Sequence, residues 1–479
     1  MNSIVMVQPH EGSMNKVMNP WVPLSLLCAV SKLDLEGYPI IVIDQRVSDN
    51  WQEELETALE DKPICVGITS MTGSQILGAL EAARLVKRSG DVPVVWGGVH
   101  GTLFAEQTLA HKDVDMLVKG EGEQTFYELL KRLESHEPMD GLAGVCYKRD
   151  GIVIENEDRP FVDPDDMPEP PYHLIDIENY MHHLFHEKRV LEVESSRGCP
   201  YRCAFCYNVL YNRKSWRPLS ADRVVARLRH LSDTYGIKVF HFLDDAFFID
   251  KHRVRDIMNG ILDSGMEIKM GFQGIRIDTL ARMDDDILDL CYRAGCRYLQ
   301  FGVESGSPRI QKMINKQISL DDVESVNKRL AKYPEMITFY NFMCGFPTET
   351  KEDLFDSTRL AWLLLKDNSR AMVSAFHHYK PYPGTELAKQ AFAENFTVPE
   401  TLEAWAHFDW TEALMETGDK KQERLLRRVE MTSILADKKM ESHSDSRFWT
   451  VAAKMYRPVA RFRFKNNFYS FMPEILFMK

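Results

Sequence analysis

Three cysteines fall close together near the middle of the chain. They are Cys199, Cys203 and Cys206, on a stretch that runs from Glu194 to Asn208. Thiolates spaced CxxxCxxC on a short loop can bind three irons of a [4Fe-4S] cubane and leave the fourth iron without a protein ligand. Such an iron is a Lewis acid and the cluster is a one-electron donor, so the spacing predicts redox chemistry at this loop.

A structural zinc site is the main alternative for these thiols. Zinc takes four Cys or His ligands, usually as two closely spaced pairs. The next cysteines, Cys291 and Cys296, lie far along the chain. We expect these two and Cys344 to be ordinary core residues. The spacing therefore favours an iron–sulfur cluster over zinc.

The cysteine spacing, with the aromatic Phe205 before the last cysteine, resembles the signature of the radical S-adenosylmethionine (radical SAM) superfamily. The resemblance implies that the open iron binds the amino and carboxylate groups of SAM. It also implies that an electron from the cluster cleaves SAM to a 5′-deoxyadenosyl radical. An external donor such as flavodoxin or ferredoxin would supply that electron.

Length and composition bound the rest of the chain. With 479 residues, two or three domains are expected, and 44% apolar and 27% charged residues are typical of a soluble protein. The net charge of −12 argues against a nucleic-acid partner. Because we find no basic leader, no long apolar run and no evenly spaced disulfide framework, we expect a cytoplasmic protein.

Short apolar runs alternate with helical stretches in residues 1–135, the first predicted domain. Strands are predicted at 4–7, 40–43, 64–68, 92–96 and 114–118, and helices at 24–36, 51–60, 74–88 and 124–133. This alternation predicts a doubly wound domain, in which a parallel sheet has helices on both faces. The ligand site of such a domain lies at the carboxyl ends of its strands.

The loops at those ends are rich in small residues, which permit close approach of a large flat or phosphate-bearing ligand, although such loops also serve as plain turns. The segment order and the GGxHxT and KGEGE stretches resemble the cobalamin-binding domain of cobalamin-dependent radical SAM enzymes. The resemblance implies that cobalamin contacts Ser70, Thr72, Gly73, Ser74, Gly97, Gly98, His100, Thr102, Gly120 and Glu121.

One cobalamin motif is missing. The chain has no DxHxxG after its first strand, where His10 stands in a different context. If cobalamin binds, we expect no histidine from that motif beneath the cobalt. His10 and His100 are otherwise expected to be polar loop residues.

Residues 136–185 are predicted to be a linker, because 163–171 is rich in proline and charge. Residues 186–395 again alternate strand and helix. Strands are predicted at 189–194, 239–243, 269–274, 298–303, 338–343 and 371–380, and helices at 221–235, 251–264, 284–294, 320–332 and 351–365. About six such units predict a partial (β/α)6 radical SAM barrel with its functional groups at the strand ends.

Polar residues follow several of these strands. By resemblance to the superfamily, Glu304 and Ser305 match positions near the ribose and methionine of SAM, and Gly345 with Pro347 matches the turn beside adenine. The remaining candidate SAM contacts are Asp245, Gln273 and Arg276. Each residue could instead cap a helix or form a turn, as could Glu349.

The last barrel strand carries candidate catalytic residues. Alternation along it should turn either His377 or His378, with Tyr379 or Lys380, towards the substrate. These side chains could act as acid, base or radical-quenching donor. A rim histidine bonded to backbone is the alternative.

Residues 396–479 form a third region, predicted to be mainly helical with helices at 401–405 and 420–438. Its end is basic and aromatic. It could lie on an anionic membrane surface or close over a substrate. In the plain alternative its aromatic residues pack on the barrel and its arginines stay hydrated. The residues concerned are Arg447, Phe448, Trp449, Lys454, Tyr456, Arg457, Arg461, Phe462, Arg463, Phe464, Lys465, Phe468, Tyr469 and Phe471.

These features predict a radical SAM enzyme with an N-terminal cobalamin-binding domain. By resemblance, the 5′-deoxyadenosyl radical would abstract hydrogen from an unactivated carbon, which methylcobalamin would then methylate. An oxidative cyclase of the anaerobic magnesium-protoporphyrin ester cyclase kind has the same domain order and is the alternative. An iron–sulfur electron-transfer protein or a cobalamin-sensing regulator is a weaker explanation. The substrate could be a lipid, a tetrapyrrole, a peptide or another small molecule.

Overall fold

The computed structural model describes residues 2–12, 20–184, 186–393, 398–408, 420–438, 447–470 and 472, with backbone only for 447–450. The chain forms two compact units. The first contains Met1–His182 and Val398–Glu412, and the second contains His183–Thr397 and Ala413–Lys479. None of the described helices is long and apolar enough to cross a membrane.

The first unit is built on a seven-stranded sheet of order β2-β1-β3-β4-β5-β6-β7. Its strands are β1 (Ile4–Gln8), β2 (Ile40–Asp44), β3 (Val66–Thr69), β4 (Val94–Gly97), β5 (Met116–Val118), β6 (Val145–Arg149) and β7 (Ile152–Glu155). The pairings among β1 to β5 are parallel, as predicted, and β6 and β7 are antiparallel. The strand order reverses at β1, so a crevice opens beside its carboxyl end.

Helices connect and cover these strands. They are α1 (Leu24–Leu35), α2 (Trp51–Glu60), α3 (Gln75–Ser89), α4 (Gly98–Leu103), α5 (Ala105–Ala110), α6 (Gly122–Ser135) and, much later in the chain, α16 (Leu402–Trp405). One core cluster joins Leu26 and Val30 of α1 to Phe126 and Leu129 of α6. Burial of these side chains holds both helices on one face of the sheet.

Two sequence predictions need correction in this unit. The predicted linker at 136–185 contains β6 and β7, which extend the first sheet, and Val145 and Cys146 are fully buried. The linker was predicted from the proline-rich stretch 163–171, which lies after these two strands. The loop predicted after the fourth strand contains helix α4, because Gly98 turns the chain directly into a helical turn that buries His100.

The second unit is built on a curled sheet of order β16-β15-β14-β13-β12-β9-β8, with a separate β10–β11 hairpin. Its strands are β8 (His182–Leu184), β9 (Glu187–Val193), β10 (Ser196–Gly198), β11 (Trp216–Pro218), β12 (Val239–Phe242), β13 (Lys269–Ile275), β14 (Cys296–Glu304), β15 (Ile337–Cys344) and β16 (Ala371–His378). Within the curled sheet, the pairings among β9, β12, β13, β14, β15 and β16 are parallel, whereas the β10–β11 hairpin is antiparallel. The predicted partial barrel is confirmed.

The second unit's helices are α7 (Asn208–Tyr211), α8 (Ala221–Tyr235), α9 (Lys251–Asp263), α10 (Ile277–Ala281), α11 (Asp285–Arg293), α12 (Pro308–Met313), α13 (Leu320–Leu330), α14 (Lys351–Asp367), α15 (Glu386–Ala393), α17 (Lys420–Ile434) and α18 (Arg447–Asn466). Capping residues fix where several of them begin. Asp250 caps α9, and Thr350 with Asp353 forms a capping box at α14.

The basic and aromatic C-terminal region fits only in part the expectation that its aromatic residues are packed and its arginines hydrated. Phe464 and Tyr469 are buried as expected, but Phe462 and Phe468 are exposed. Arg463 is buried rather than hydrated, because its guanidinium donates hydrogen bonds to the Tyr456 hydroxyl and the Phe468 carbonyl. Phe471 and the side chains of Arg447, Phe448 and Trp449 lie outside the described residues.

Candidate active site and cofactor-binding residues

The three cysteines of the motif lie on the loop between β10 and α7, and each is a partly exposed free thiol. Neighbouring elements hold this loop in place through its backbone. The Ala204 N–H donates to the Ile314 carbonyl (2.8 Å), and the Leu387 N–H donates to the Ala204 carbonyl (2.9 Å). The loop is therefore fixed by residues that follow α12 and begin α15.

A buried polar network fixes the start of this loop. The carboxylate of Asp244 accepts hydrogen bonds from the Ser195 N–H (2.8 Å), the Ser195 hydroxyl (2.7 Å) and the Ser196 hydroxyl (2.5 Å). Arg253 donates to the Ser195 carbonyl (2.6 Å). Burial raises the pKa of Asp244 to about 6 despite these donors. Asp244 thus positions the loop, whereas the predicted contact Asp245 is exposed.

The side chain of an arginine lies beside the middle cysteine, Cys203. Arg276 is buried, and its Nη1 lies 3.7 Å from Cys203 Sγ. Its guanidinium covers the Tyr201 ring at 3.6 Å, donates to Asp278 Oδ1 (2.9 Å) and donates to the Lys316 carbonyl (2.6 Å). The structure therefore places the predicted Arg276 at the cysteine loop.

Glu304 forms a buried ion pair that the sequence did not reveal. Its Oε1 lies 2.8 Å from Lys316 Nζ, and both residues are buried. Burial lowers the pKa of Lys316, but the charges of Glu304 and Cys203 outweigh it and leave the pKa above its ordinary value. The Lys316 ammonium also lies 5.9 Å from the Phe205 ring. No motif marks Lys316, so only the fold brings it here.

Two of the other predicted SAM-side residues, Ser305 and Gln273, make contacts within the protein. Ser305 is fully buried and its hydroxyl faces Ser357 at 3.0 Å, so it joins β14 to α14. Gln273 lies on β13 and donates weakly to the Leu243 carbonyl (3.4 Å). These two contacts are structural.

The Gly345–Pro347 turn follows β15. Gly345 has a φ of +73°, a left-handed conformation that favours glycine, and its N–H donates to Glu349 Oε2 (2.5 Å). Burial raises the pKa of Glu349 to about 8. Pro347 is buried. The turn is therefore held by its own acidic residue, Glu349.

The three candidate catalytic residues occupy different surroundings. His378 faces helix α17, with Nε2 3.4 Å from Glu430 Oε2 and Nδ1 3.8 Å from Cys344 Sγ. Alternation along β16 puts the exposed His377 on the opposite face of the sheet. Tyr379 is buried, stacked on Phe346 at 5.4 Å. The structure therefore does not bring the three side chains together.

The cobalamin-side loops of the first unit meet at Gly98 and His100. Gly98 has a φ of +90°, and a Cβ there would lie 2.6 Å from the Ser70 carbonyl oxygen. The His100 N–H donates to that same carbonyl (3.1 Å), and His100 Nδ1 lies 3.1 Å from the Thr72 hydroxyl. Glycine is therefore required for the loop after β4 to approach the loop after β3.

His100 is fully buried beneath aromatic side chains. Its ring lies 5.0 Å from Phe104 and 5.8 Å from Trp405, which itself stacks on Phe104 at 4.4 Å. Burial lowers the pKa of His100 to about 3, so the ring is neutral. Among the described residues no partner reaches His100 Nε2. Trp405 comes from α16, far along the chain, and no motif signals it.

The remaining cobalamin-side candidates mostly tie loops together. The Thr102 hydroxyl donates to the Gly98 carbonyl (2.8 Å) and accepts from the Gly120 N–H (2.9 Å). The Ser74 hydroxyl donates to the Glu11 carbonyl (3.1 Å). Of the others, Gly73 has a φ of +114°, Gly97 precedes α4 in an extended conformation, and Glu121 precedes α6.

His10, after β1, is engaged within the protein. Its Nδ1 accepts from the Gly12 N–H (3.2 Å), and its Nε2 lies 3.5 Å from Glu81 Oε2. This arrangement fits the expectation that His10 is a polar loop residue.

The donor sets fit the two predicted groups. The cysteine loop offers three free thiols beside Arg276, as a [4Fe-4S] cluster requires. In the described part of the chain, no three His, Cys, Asp or Glu side chains converge closely enough to hold a single metal ion. On the cobalamin side, the loop after β3 exposes Met71, which is 56% accessible, and Gly98 lets the loop after β4 approach it closely. Small residues and an exposed apolar side chain at the strand ends suit a large ligand.

Two family models match the chain. The radical SAM superfamily model matches residues 193–361, and the B12 binding domain model matches residues 12–130. The first match covers the cysteine loop and the barrel, and the second covers the strands and loops of the first unit.

Individual relatives agree with these matches. An uncharacterised methyltransferase of Pyrococcus horikoshii is 30% identical over 91% of this chain and 93% of its own length. An anaerobic magnesium-protoporphyrin IX monomethyl ester cyclase of Synechocystis is 22% identical over 89% of this chain and 88% of its own length.

Solved structures share the fold. The radical SAM methyltransferase TsrM from Kitasatospora setae, solved with cobalamin and a [4Fe-4S] cluster, has a TM-score of 0.68 and 16% identity over 83% of this chain and 76% of its own. The cobalamin-dependent radical SAM enzyme OxsB, solved with aqua-cobalamin, has a TM-score of 0.78 and 18% identity over 97% of this chain and 72% of its own. The chain therefore belongs to the family of cobalamin-dependent radical SAM enzymes, whose cofactors are a [4Fe-4S] cluster, SAM and cobalamin.

Proposed function

We propose that this enzyme methylates an unactivated carbon of a small-molecule or lipid-like substrate. The observation that carries the proposal is the three-cysteine loop in a chain that also has a cobalamin-binding unit, together with 30% identity to an uncharacterised methyltransferase over 91% of the chain. Held by the three cysteines, a reduced cluster with SAM would supply the one-electron chemistry that activates a carbon–hydrogen bond, and cobalamin would supply a carrier for the methyl group.

The chain's own residues would position and shield this chemistry. Cys199, Cys203 and Cys206 would bind three irons, and Arg276 beside Cys203 would offset part of their negative charge. The Glu304–Lys316 pair, buried near Phe205, would meet the polar groups of SAM. Such charged pairs can orient a zwitterionic ligand because their positions are fixed before it binds.

The cobalamin-side residues would hold the corrin by close backbone approach. Gly98 allows the loops after β3 and β4 to meet, and Thr72 is fixed by His100 Nδ1. His100 would act as a neutral hydrogen-bonding group rather than a charged one, since its pKa lies near 3. His377, exposed at the end of β16, is our candidate proton or hydrogen donor to substrate.

Labelled SAM tests the reaction type. The reduced, cobalamin-loaded enzyme is incubated with SAM carrying a 13C methyl group and with fractionated lipid and small-molecule extracts. We expect a product that gains one labelled methyl group, formed together with 5′-deoxyadenosine. A product that loses hydrogens without gaining the label would instead identify an oxidative cyclase, as the similarity to the Synechocystis cyclase suggests, and would overturn the proposal.

A further inference from the structure

Helix α18 is anchored to the second unit by one face. Ala453, Ala460 and Phe464 are buried there, and the Phe464 ring lies 6.0 Å from Phe376. Two arginines of this helix add hydrogen bonds to the backbone after α17. Arg457 Nε donates to the Asp437 carbonyl (3.0 Å), and Arg461 Nε donates to the Ala436 carbonyl (2.9 Å). The orientation of the helix is therefore fixed, and so is the face that it presents to solvent.

That outward face is apolar. Val451, Met455, Val459 and Phe462 are exposed, with 55%, 76%, 42% and 56% of their surface accessible. Residues three or four positions apart share one side of a helix, so these four form a continuous row that we call the exposed apolar stripe. Single exposed apolar residues are ordinary, but an ordered row on one helix face marks an interaction surface.

The charge of α18 indicates what the stripe contacts. Arg447–Asn466 contains six basic residues and no acidic residue, although the whole chain carries a net charge of −12. Lys454 and Lys465 are exposed. At 3.6 residues per turn, both project from the same flank of the stripe. Lys465 also lies over the Trp362 ring at 5.4 Å. An apolar row beside exposed cations is the arrangement of helices that lie in the interface of an anionic membrane.

The same charges argue against other occupants. A symmetric pair of chains would bring together two helices whose only charged residues are basic, and like-charge repulsion disfavours that contact. A nucleic acid would contact the lysines but would leave Met455 and Phe462 in water. An anionic lipid surface accommodates both parts at once.

We propose that α18 docks the protein on an anionic lipid surface, with the exposed apolar stripe in the interface and Lys454 and Lys465 at the headgroups. The inference rests on α18 alone and does not depend on the proposed reaction. It would place an enzyme with no described membrane-spanning helix next to lipid-soluble substrates.

Vesicle sedimentation tests the proposal. The full chain with reconstituted cluster is mixed with vesicles of phosphatidylcholine, with or without phosphatidylglycerol, and the bound fraction is measured at low and high salt. We expect binding to the anionic vesicles that weakens with salt. Replacing both Met455→Glu and Phe462→Glu should lower the partition coefficient at least about tenfold. Lys454→Gln and Lys465→Gln should each lower it about fivefold.

A matched control separates this helix from exposed apolar residues in general. Leu35, on α1, is 74% exposed, and Leu35→Glu should bind vesicles like the wild type. All variants should keep wild-type SAM cleavage, so a failure of docking is distinguishable from a failure of the proposed reaction. Equal binding by the wild type and the Met455→Glu, Phe462→Glu variant would overturn the proposal. The proposal would also be overturned if the wild type bound no vesicles but formed a dimer that the Met455→Glu, Phe462→Glu variant could not form.

Discussion

The cysteine loop and the cobalamin-side loops are built in different ways. Around the cysteines, buried charges are paired: Arg276 lies beside Cys203, and Lys316 pairs with Glu304. On the cobalamin side, the central buried group is His100, which is neutral and covered by aromatic rings.

The difference is the one expected from the cofactor that we propose for each region. A thiolate-bound cluster and zwitterionic SAM carry charge, so their sites need fixed counter-charges. A corrin is large and needs shape and close backbone contact, which Gly98 and the small residues around it would provide in the proposed assignment. Four substitutions or titrations test this contrast.

The largest effect is expected from the buried ion pair. Lys316→Met leaves Glu304 buried without its cation, and breaking such a pair costs about 3–5 kcal/mol. We expect that loss in the free energy of unfolding measured with denaturant, and a loss of SAM binding in calorimetry. The double variant Lys316→Met, Glu304→Leu should recover stability but not SAM binding. Wild-type stability of Lys316→Met would show that the charges are not coupled.

The aromatic cover of His100 should come next. Trp405→Ala removes the ring that stacks on Phe104 and should cost the first unit about 3–5 kcal/mol. It should also lower cobalamin retention after desalting, while cluster content stays at the wild-type level. The matched variant Trp405→Phe keeps the stacking and loses only the hydrogen bond to Gln107 (2.7 Å), which costs about 1 kcal/mol. Unchanged retention in Trp405→Ala would separate α16 from cobalamin binding.

Backbone approach is tested by a pair of glycines. Gly98→Ala would place a Cβ 2.6 Å from the Ser70 carbonyl oxygen, whereas Gly120→Ala has a similar positive φ but open space around it. In both variants the left-handed conformation should lower the free energy of unfolding by about 1–2 kcal/mol. Gly98→Ala should lower the free energy of unfolding by about 1–3 kcal/mol more than Gly120→Ala does. It should also lower the affinity for cobalamin, measured by absorbance titration. Equal losses of stability and cobalamin affinity in the two variants would show that close backbone approach at Gly98 is not needed.

For a change of one pH unit, the smallest expected effect comes from the protonation of His100. Because its pKa is lowered from 6.5 to about 3 in the folded protein, the unfolded chain binds the proton more readily. The stabilisation is therefore complete above pH about 6.5 and is lost as pH falls towards 3, by up to about 1.4 kcal/mol per unit. Denaturant unfolding at several pH values should show this slope in the wild type and a shallower one in His100→Asn. Equal slopes would contradict it.

Much of the fold was predictable, because the elements have strong local patterns. Helices Trp51–Glu60 and Ala221–Tyr235 begin and end where the sequence predicted. Their amphipathic spacing and the turn residues beside them determine both ends. The hairpin of β6 and β7 was missed because its two short strands gain stability only by extending a sheet formed earlier in the chain.

The site was predictable only where chemistry imposes spacing. The three cysteines share one loop, so the sequence displays them together. Lys316 and Trp405 reach Glu304 and His100 through the fold, at separations of 12 and 305 residues in the chain. Their residue types carry no ligand signature, and their importance comes from burial beside another side chain. Such residues can be found only once the packing is known.

The most direct test of the central claim is an anaerobic reconstitution of wild type and Cys203→Ala with iron, sulfide and hydroxocobalamin. After desalting, spectra are recorded and dithionite-driven SAM cleavage is assayed, with Cys28→Ala as the thiol control. We predict that all three proteins retain corrinoid and that only wild type and Cys28→Ala form 5′-deoxyadenosine. An intact cluster in the wild type without SAM cleavage, or no retained corrinoid in any of them, would contradict the account.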